Sequence, residues 1–160
     1  MLTRHTFHIL AVGRHKEPFI QEGVLQYTRQ IEKYARVEWH LCPQDKSEKP
    51  LAERLKNEAK ALQNTLKSLN NPLVIALQDG GKSMTSPQLS AQLSSWMDQK
   101  LHLAFVVGGA FGMAPEFLQT AQARLSLGNL TFNHLLVRLI LLEQLYRALS
   151  IHFGGEYHHA

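Results

Sequence analysis

Cysteine is almost missing from this chain: Cys42 is the only one, so no internal disulfide framework exists. A single thiol fits a reducing compartment, and a cytoplasmic protein is expected. Long apolar runs are missing too. The most apolar stretch, "LLVRLILL" at 135–142, is interrupted by Arg138 and falls short of the roughly 18 residues that a membrane span needs. The opening "MLTRHTFHILAVG" is too short and too polar for a signal peptide. No low-complexity tract, internal repeat or convincing linker divides the chain. Metal-binding patterns are lacking as well: there is no cysteine pair and no H-E-x-x-H. The adjacent His158 and His159 cannot both ligate one tetrahedral ion, so no metal site is expected.

What remains is an ordinary globular composition, 44% hydrophobic and 19% charged, over 160 residues. That length suits one domain, 1–160, with a core large enough to need no covalent staple. Lys and Arg number 17 against 13 acids, a formal charge of +4. A mild positive excess is compatible with nucleic acid without establishing it.

Short apolar runs alternate with helical patterns. "TFHILAVG" (6–13) reads as a strand. Ile20, Val24, Tyr27, Ile31 and Tyr34 share one face of a helix that starts near Pro18. "VEWHLC" (37–42) reads as a second strand. Leu51, Leu55, Ala59, Leu62, Leu66 and Leu69 align on a second helix. "PLVIALQ" (72–78) is a strand apolar on both faces, and "DGGKSMTS" a turn-rich loop. Ser86 and Pro87 are the expected N-cap and first residue of a third helix. "LHLAFVVGG" is a fourth strand, "APEFLQTAQAR" a short helix, and "LSLGNLTFN" a fifth short strand with its loop. A long helix begins at His134, followed by a polar tail. This alternation predicts an α/β fold with a mostly parallel sheet flanked by helices. The last helix is apolar around nearly its whole circumference, which requires cover on more than one side: either it is threaded through the core or a second subunit covers it.

Three glycine-bearing loops follow predicted strands: "LQDGGK" (77–82), "VGGAFG" (107–112) and "LGNLTFN" (127–133). A dinucleotide fingerprint would have G-x-G-x-x-G after the first strand, and a P-loop would have G-x-x-x-x-G-K-[ST]; neither is present. Carboxyl ends of parallel strands are nevertheless where open α/β sheets bind ligands. Gly108 and Gly109 weaken a strand end, so something must approach the backbone there. Arg138, Glu143 and Arg147 interrupt the last helix. Glu143 and Arg147 are spaced for an ion pair. Arg138 has no acid three or four residues before it, which makes it a candidate for a substrate or cross-subunit contact. The tail "GEYHH" holds an aromatic ring and two imidazoles, yet its composition and terminal position favour disorder.

Taken together, "FVVGGAFG", "LSLGNLTFNHLLVRLILLEQLYRALSI" and "GEYHH" resemble the RlmH family, SPOUT-class methyltransferases of large-subunit ribosomal RNA. The likeness extends to the opening "ILAVGRHKEPFIQEGVLQYTRQI". The resemblance implies a SPOUT-type fold with a C-terminal trefoil knot, a homodimer, and methylation of N3 of a pseudouridine in 23S ribosomal RNA, on the assembled ribosome. It implies S-adenosylmethionine as cofactor, held at Leu77, Gly108, Gly109, Gly128, Asn129, Leu130, Thr131, Phe132 and Asn133. It implies that Tyr157 and His158 help form the substrate site, reaching across the dimer. On chemical grounds His158 is the candidate to assist deprotonation of N3, and Arg138 or Arg147 to stabilise the developing anion or grip phosphate. The chain has Asn133-His134 where the family usually has Pro-His, and Gly155-Glu156-Tyr157-His158 lacks the family's usual proline. Two other readings compete: a non-catalytic ribosome-binding or assembly factor of the same fold, and an unrelated nucleotide-binding α/β enzyme.

Overall fold

A computed structural model describes residues 3–159. In chain order the elements are β1 (Thr6–Val12), α1 (Pro18–Ile31), β2 (Arg36–Cys42), α2 (Leu51–Ser68), β3 (Leu73–Ser83), α3 (Ser86–Gln99), β4 (His102–Val107), α4 (Pro115–Thr120), β5 (Ala123–Ser126) and α5 (His134–His152). The strands form one sheet in the order β2-β1-β4-β3-β5, with every pairing parallel. Side chains alternate across it as the period of two requires. Phe7, Ile9 and Ala11 of β1 join Leu103, Phe105 and Val107 of β4 on the face covered by α1, α3 and α5. Leu10, Val12, Ala104 and Val106 face the opposite side, under Ala59 and Leu62 of α2 and Phe117 of α4. At about 1.5–3 kcal/mol for each fully buried large apolar side chain, these two clusters are the main favourable term of folding.

α5 lies between α1 and α3. Leu141, Leu142, Leu145, Ala148 and Leu149 are completely buried within the single chain. At the contact with α1, Leu139 of α5 packs over Gly23, where a Cβ would lie 2.7 Å from Leu139 Cδ2 and push that side chain aside. Most of the apolar circumference is thus explained by threading between two helices. A strip remains open along Leu136, Ile140, Glu143 and Arg147, with Leu136 the most exposed.

Three local expectations are corrected. First, "DGGKSMTS" is not a free loop. β3 continues to Ser83 through an irregularity between Leu77 and Lys82, and Lys82 and Ser83 pair with Leu125 and Ser126 of β5. Gly81 permits this, since a Cβ there would meet the Arg124 carbonyl carbon at 2.8 Å. Second, the cap of α3 is Thr85 rather than Ser86. Its hydroxyl accepts from Gln88 N while Gln88 Oε1 accepts from Thr85 N, a reciprocal capping box. Third, the tail is folded rather than disordered. Gly154, at φ +74°, turns the chain beyond α5, and Gly155 N donates to Ser150 O. Tyr157 then lies back against α5.

Candidate functional site

The carboxyl ends of β3, β4 and β5 enclose a cavity of about 370 Å³, within the range of about 300–1,000 Å³ usual for small-molecule sites. All three glycine loops reach it. Leu77, Gln78, Asp79 and Gly80 form one wall, Gly108 through Met113 a second, and Gly128, Leu130, Thr131 and Phe132 a third. His134 and Val137 close it from the first turns of α5. Of the expected cofactor contacts, Asn129 and Asn133 do not line this cavity. Asn133 is instead the N-cap of α5, its Oδ1 accepting from Leu135 N at 2.8 Å.

The reason for the glycine pair differs from the one expected. A Cβ at Gly108 would lie 2.7 Å from the Gly112 carbonyl oxygen, and one at Gly109 would make ordinary contact with Val12 Cγ1 at 3.4 Å. What approaches Gly108 is therefore the chain's own tight turn over Gly109–Gly112. That turn is closed by Gly112 N donating to Gly109 O and by Gly112 at φ +78°. The turn brings bare backbone to the cavity wall.

The charge lining the cavity is sparse. Asp79 is its one carboxylate and no Lys or Arg lines it. His134 has its pKa pushed down by burial, and further by Arg138 and Lys16, so it is a neutral imidazole at pH 7. The N-terminus of α5, at the edge of the cavity, adds a partial positive charge. Such a lining accepts a cationic or zwitterionic molecule and offers no guanidinium or ammonium to a phosphate chain. Sequence reasoning passed over Asp79 and His134 because nothing local marks them; only the convergence of strand ends does.

Arg138 is placed elsewhere. It is completely buried, donating through Nη2 to Val12 O at 2.7 Å and through Nη1 to Gly13 O at 3.0 Å, with His15 Nδ1 also 3.0 Å from Nη1. Burial lowers its pKa to about 10, leaving it charged at neutral pH. Here it ties α5 to the end of β1, and its guanidinium is directed at backbone carbonyls rather than into the cavity.

Tyr157 and His158 form a second constellation at the far end of α5. Tyr157 Oη donates to Glu143 Oε1 at 3.0 Å, and its ring lies 4.5 Å from that of Tyr146, with the Arg147 guanidinium 4.7 Å above it. Arg147 donates to Glu143 and, through Nη1, to His158 Nδ1 at 3.2 Å. Burial, then the Glu143 carboxylate, pushes the Tyr157 phenol up to about 12, so it stays protonated. Neither Tyr157 nor His158 lines the cavity, and Glu143 and Arg147, which hold them, stand about 14 and 20 Å along the helix from His134, at 1.5 Å per residue. One chain therefore does not bring Tyr157 and His158 to its own cavity.

Comparison with known proteins agrees with this architecture. A family model described as a predicted SPOUT methyltransferase matches residues 6–158. A protein named ribosomal RNA large subunit methyltransferase H from Maridesulfovibrio salexigens is 38% identical over 149 residues, covering 92% of this chain and 94% of that protein. Its namesake from Symbiobacterium thermophilum is 38% identical over 159 residues, covering 94% and 97%. Among solved structures, a probable methylase family protein from Haemophilus influenzae shares the fold with a TM-score of 0.55 at 14% identity, over 100% of this chain and 72% of that one. With the match spanning nearly all of the parallel sheet and its helices, the chain belongs to the SPOUT methyltransferase family.

Proposed function

We propose that this protein is an S-adenosylmethionine-dependent methyltransferase that methylates N3 of a pseudouridine in 23S ribosomal RNA, acting as a homodimer on the assembled ribosome in the cytoplasm. The observation that carries the reading is the cavity at the ends of β3, β4 and β5, lined by backbone and apolar groups with a single carboxylate. Family membership and relatives named for large-subunit ribosomal RNA support the substrate. The lining speaks against the nucleotide-binding alternative, since a di- or triphosphate would meet no Lys or Arg there.

The residues present fit the cofactor. A sulfonium cation is compatible with a cavity whose one charged lining side chain is Asp79, and the α5 N-terminus suits an amino-acid carboxylate. The Gly108–Gly112 turn and the Gly128–Asn133 loop would grip the molecule through backbone groups, with Leu77, Leu130 and Phe132 as apolar walls. When bound, S-adenosylmethionine supplies an electrophilic methyl group. The chain's own contribution is positioning: a nitrogen held in line and close to that methyl reacts with much of the entropic barrier already removed. N3–H is weakly acidic, so its proton must go to a base. His134, neutral beside the cavity, is the imidazole placed to take it.

Tyr157 and His158 would act from the partner protomer. The open strip of α5 through Leu136, Ile140, Glu143 and Arg147 ends at the folded tail, so pairing two copies along this strip would carry each tail toward the other's cavity. The Tyr157 ring would stack on the target base, an interaction worth about 1–3 kcal/mol. Because Arg147 donates to His158 Nδ1, that nitrogen is the acceptor and the ring's N–H is on Nε2, which suits donation to a substrate carbonyl. Arg147, already beside both, would stabilise charge developing on the ring. Arg138 would position the β1–α1 connection rather than touch substrate. Membership of the SPOUT family is what supports a C-terminal trefoil knot as part of this reading.

Calorimetry tests the cofactor directly. S-adenosylmethionine should bind at one site per chain, and ATP and NAD should not compete for it. Tight ATP binding with no response to S-adenosylmethionine would remove the reading. An assembly factor that keeps the fold without the chemistry would show no methyl transfer to ribosomes even where the cofactor binds.

A further inference from the structure

Three histidines lie in a diagonal row across the α2 side of the sheet, far from the methyl-donor cavity. In the sheet register His102 of β4 stands beside Thr6, His8 is on β1, and His40 of β2 stands beside Leu10. His8 is buried, and its two ring nitrogens look opposite ways. Nε2 lies 3.0 Å from His102 Nδ1. Nδ1 lies 3.0 Å from His40 Nε2 and 3.4 Å from Glu38 Oε2, and the latter two atoms are 4.0 Å apart. Nothing in the methyl-transfer reading uses these groups.

We propose that His8 Nδ1, His40 Nε2 and Glu38 Oε2 form a binding site for a divalent cation of the zinc class. Zinc bonds of about 2.0–2.2 Å at tetrahedral angles place ligand atoms about 3.3–3.5 Å apart. The three observed separations straddle that value. Two imidazoles and one carboxylate are a zinc donor set that leaves a fourth position for water. Glu38 and His40 are part-exposed, which gives the ion an entry path, while His8 anchors the site from inside. The second shell is also in place. With Nδ1 on the metal, His8 carries its proton on Nε2 and donates it to His102 Nδ1, the outer hydrogen bond that fixes a ligating imidazole. His8 lies four residues before the end of β1, about 13 Å from the cavity side of the sheet. The ion would clamp the edge strand β2 to β1, a structural role separate from catalysis.

The test is calorimetric titration of the metal-free full-length protein with zinc chloride, alongside His40→Gln and Glu38→Gln. Both substitutions sit at part-exposed positions, and circular dichroism verifies that each variant is folded. Wild type should bind one zinc per chain with a micromolar or tighter Kd, and each variant should bind at least tenfold more weakly. Cobalt in place of zinc should give the visible absorption of a tetrahedral site in wild type, absent from H40Q. Zinc at about 100 times Kd should raise the wild-type Tm by about 5–10 °C, with little change in H40Q. No binding to wild type overturns the proposal. Binding that persists unchanged in both folded variants belongs to other histidines and overturns it equally.

Discussion

Gly108→Ala should damage the methyl-donor cavity while Gly109→Ala, one residue on, should not. An alanine Cβ at 108 would stand 2.7 Å from Gly112 O and 2.8 Å from its carbonyl carbon, both backbone atoms of a closed turn that has no side chain to swing aside. The turn must shift, and overpacking of this kind costs typically about 1–3 kcal/mol. Because residues 108–113 are a wall of the cavity, most of that cost should appear as lost cofactor affinity, about 5–150-fold at 1.4 kcal/mol per decade. The rest should appear as a Tm lowered by a few degrees, at about 2–4 °C per kcal/mol in a chain of this size. At 109 the nearest atom is Val12 Cγ1 at 3.4 Å, ordinary contact, so affinity should stay within about twofold. Calorimetry with S-adenosylmethionine and thermal unfolding of the three proteins would measure this. Equal affinities for G108A and wild type, or a larger loss in G109A, would refute the reasoning that the turn forms the cofactor wall.

Other outcomes follow from the same geometry. Arg138→Met leaves the buried carbonyls of Val12 and Gly13 without donors; at about 1–3 kcal/mol each, Tm should fall by at least about 4 °C, and an unchanged Tm would show that the ties carry no stability. If the proposed dimer pairs along the open strip of α5, Leu136→Asp should give a folded monomer in sedimentation velocity, whereas Leu142→Glu should prevent folding, since Leu142 is wholly buried within one chain. Burial depresses His8, His15 and His134 in the folded state. The unfolded chain therefore takes up protons first, and Tm should hold above pH 7 and decline as pH falls below about 6.5; a Tm rising on acidification would contradict these directions. Removing residues 156–160 should preserve cofactor binding and dimerisation while methyl transfer collapses, and full activity would return the tail to an ordinary terminus.

Periodicity made most of the architecture legible. The four- and three-residue steps of Ile20, Val24, Tyr27 and Ile31 are the inward face of α1, with Tyr27 half-buried, and the alternating strand and helix patterns become the parallel sheet with its flanking helices. What escaped depends on contacts distant in sequence. The extension of β3 past Asp79 exists because Gly81 admits the β5 backbone, and no local pattern distinguishes that from a turn. The tail looked like a frayed end because its partners, Glu143, Tyr146 and Arg147, lie on the outer side of α5. Arg138 stands out in the sequence as a charge without a nearby acid, and its partners in the structure are carbonyls about 125 residues away. His134 carries no local signal; its place at the cavity follows from where β5 delivers the chain into α5. The row His8, His40 and His102 is invisible in sequence because parallel strands from three parts of the chain assemble it.

The central claim is methyl transfer to N3 of a pseudouridine in large-subunit ribosomal RNA. It is tested most directly by incubating the protein and S-adenosylmethionine with ribosomes lacking the modification, digesting the 23S RNA to nucleosides and identifying the product by mass spectrometry. One N3-methylpseudouridine per ribosome, absent when Tyr157→Ala replaces the wild type, is the predicted result. A methylated nucleoside of any other kind, or no methylated product from a protein that binds the cofactor, would contradict it.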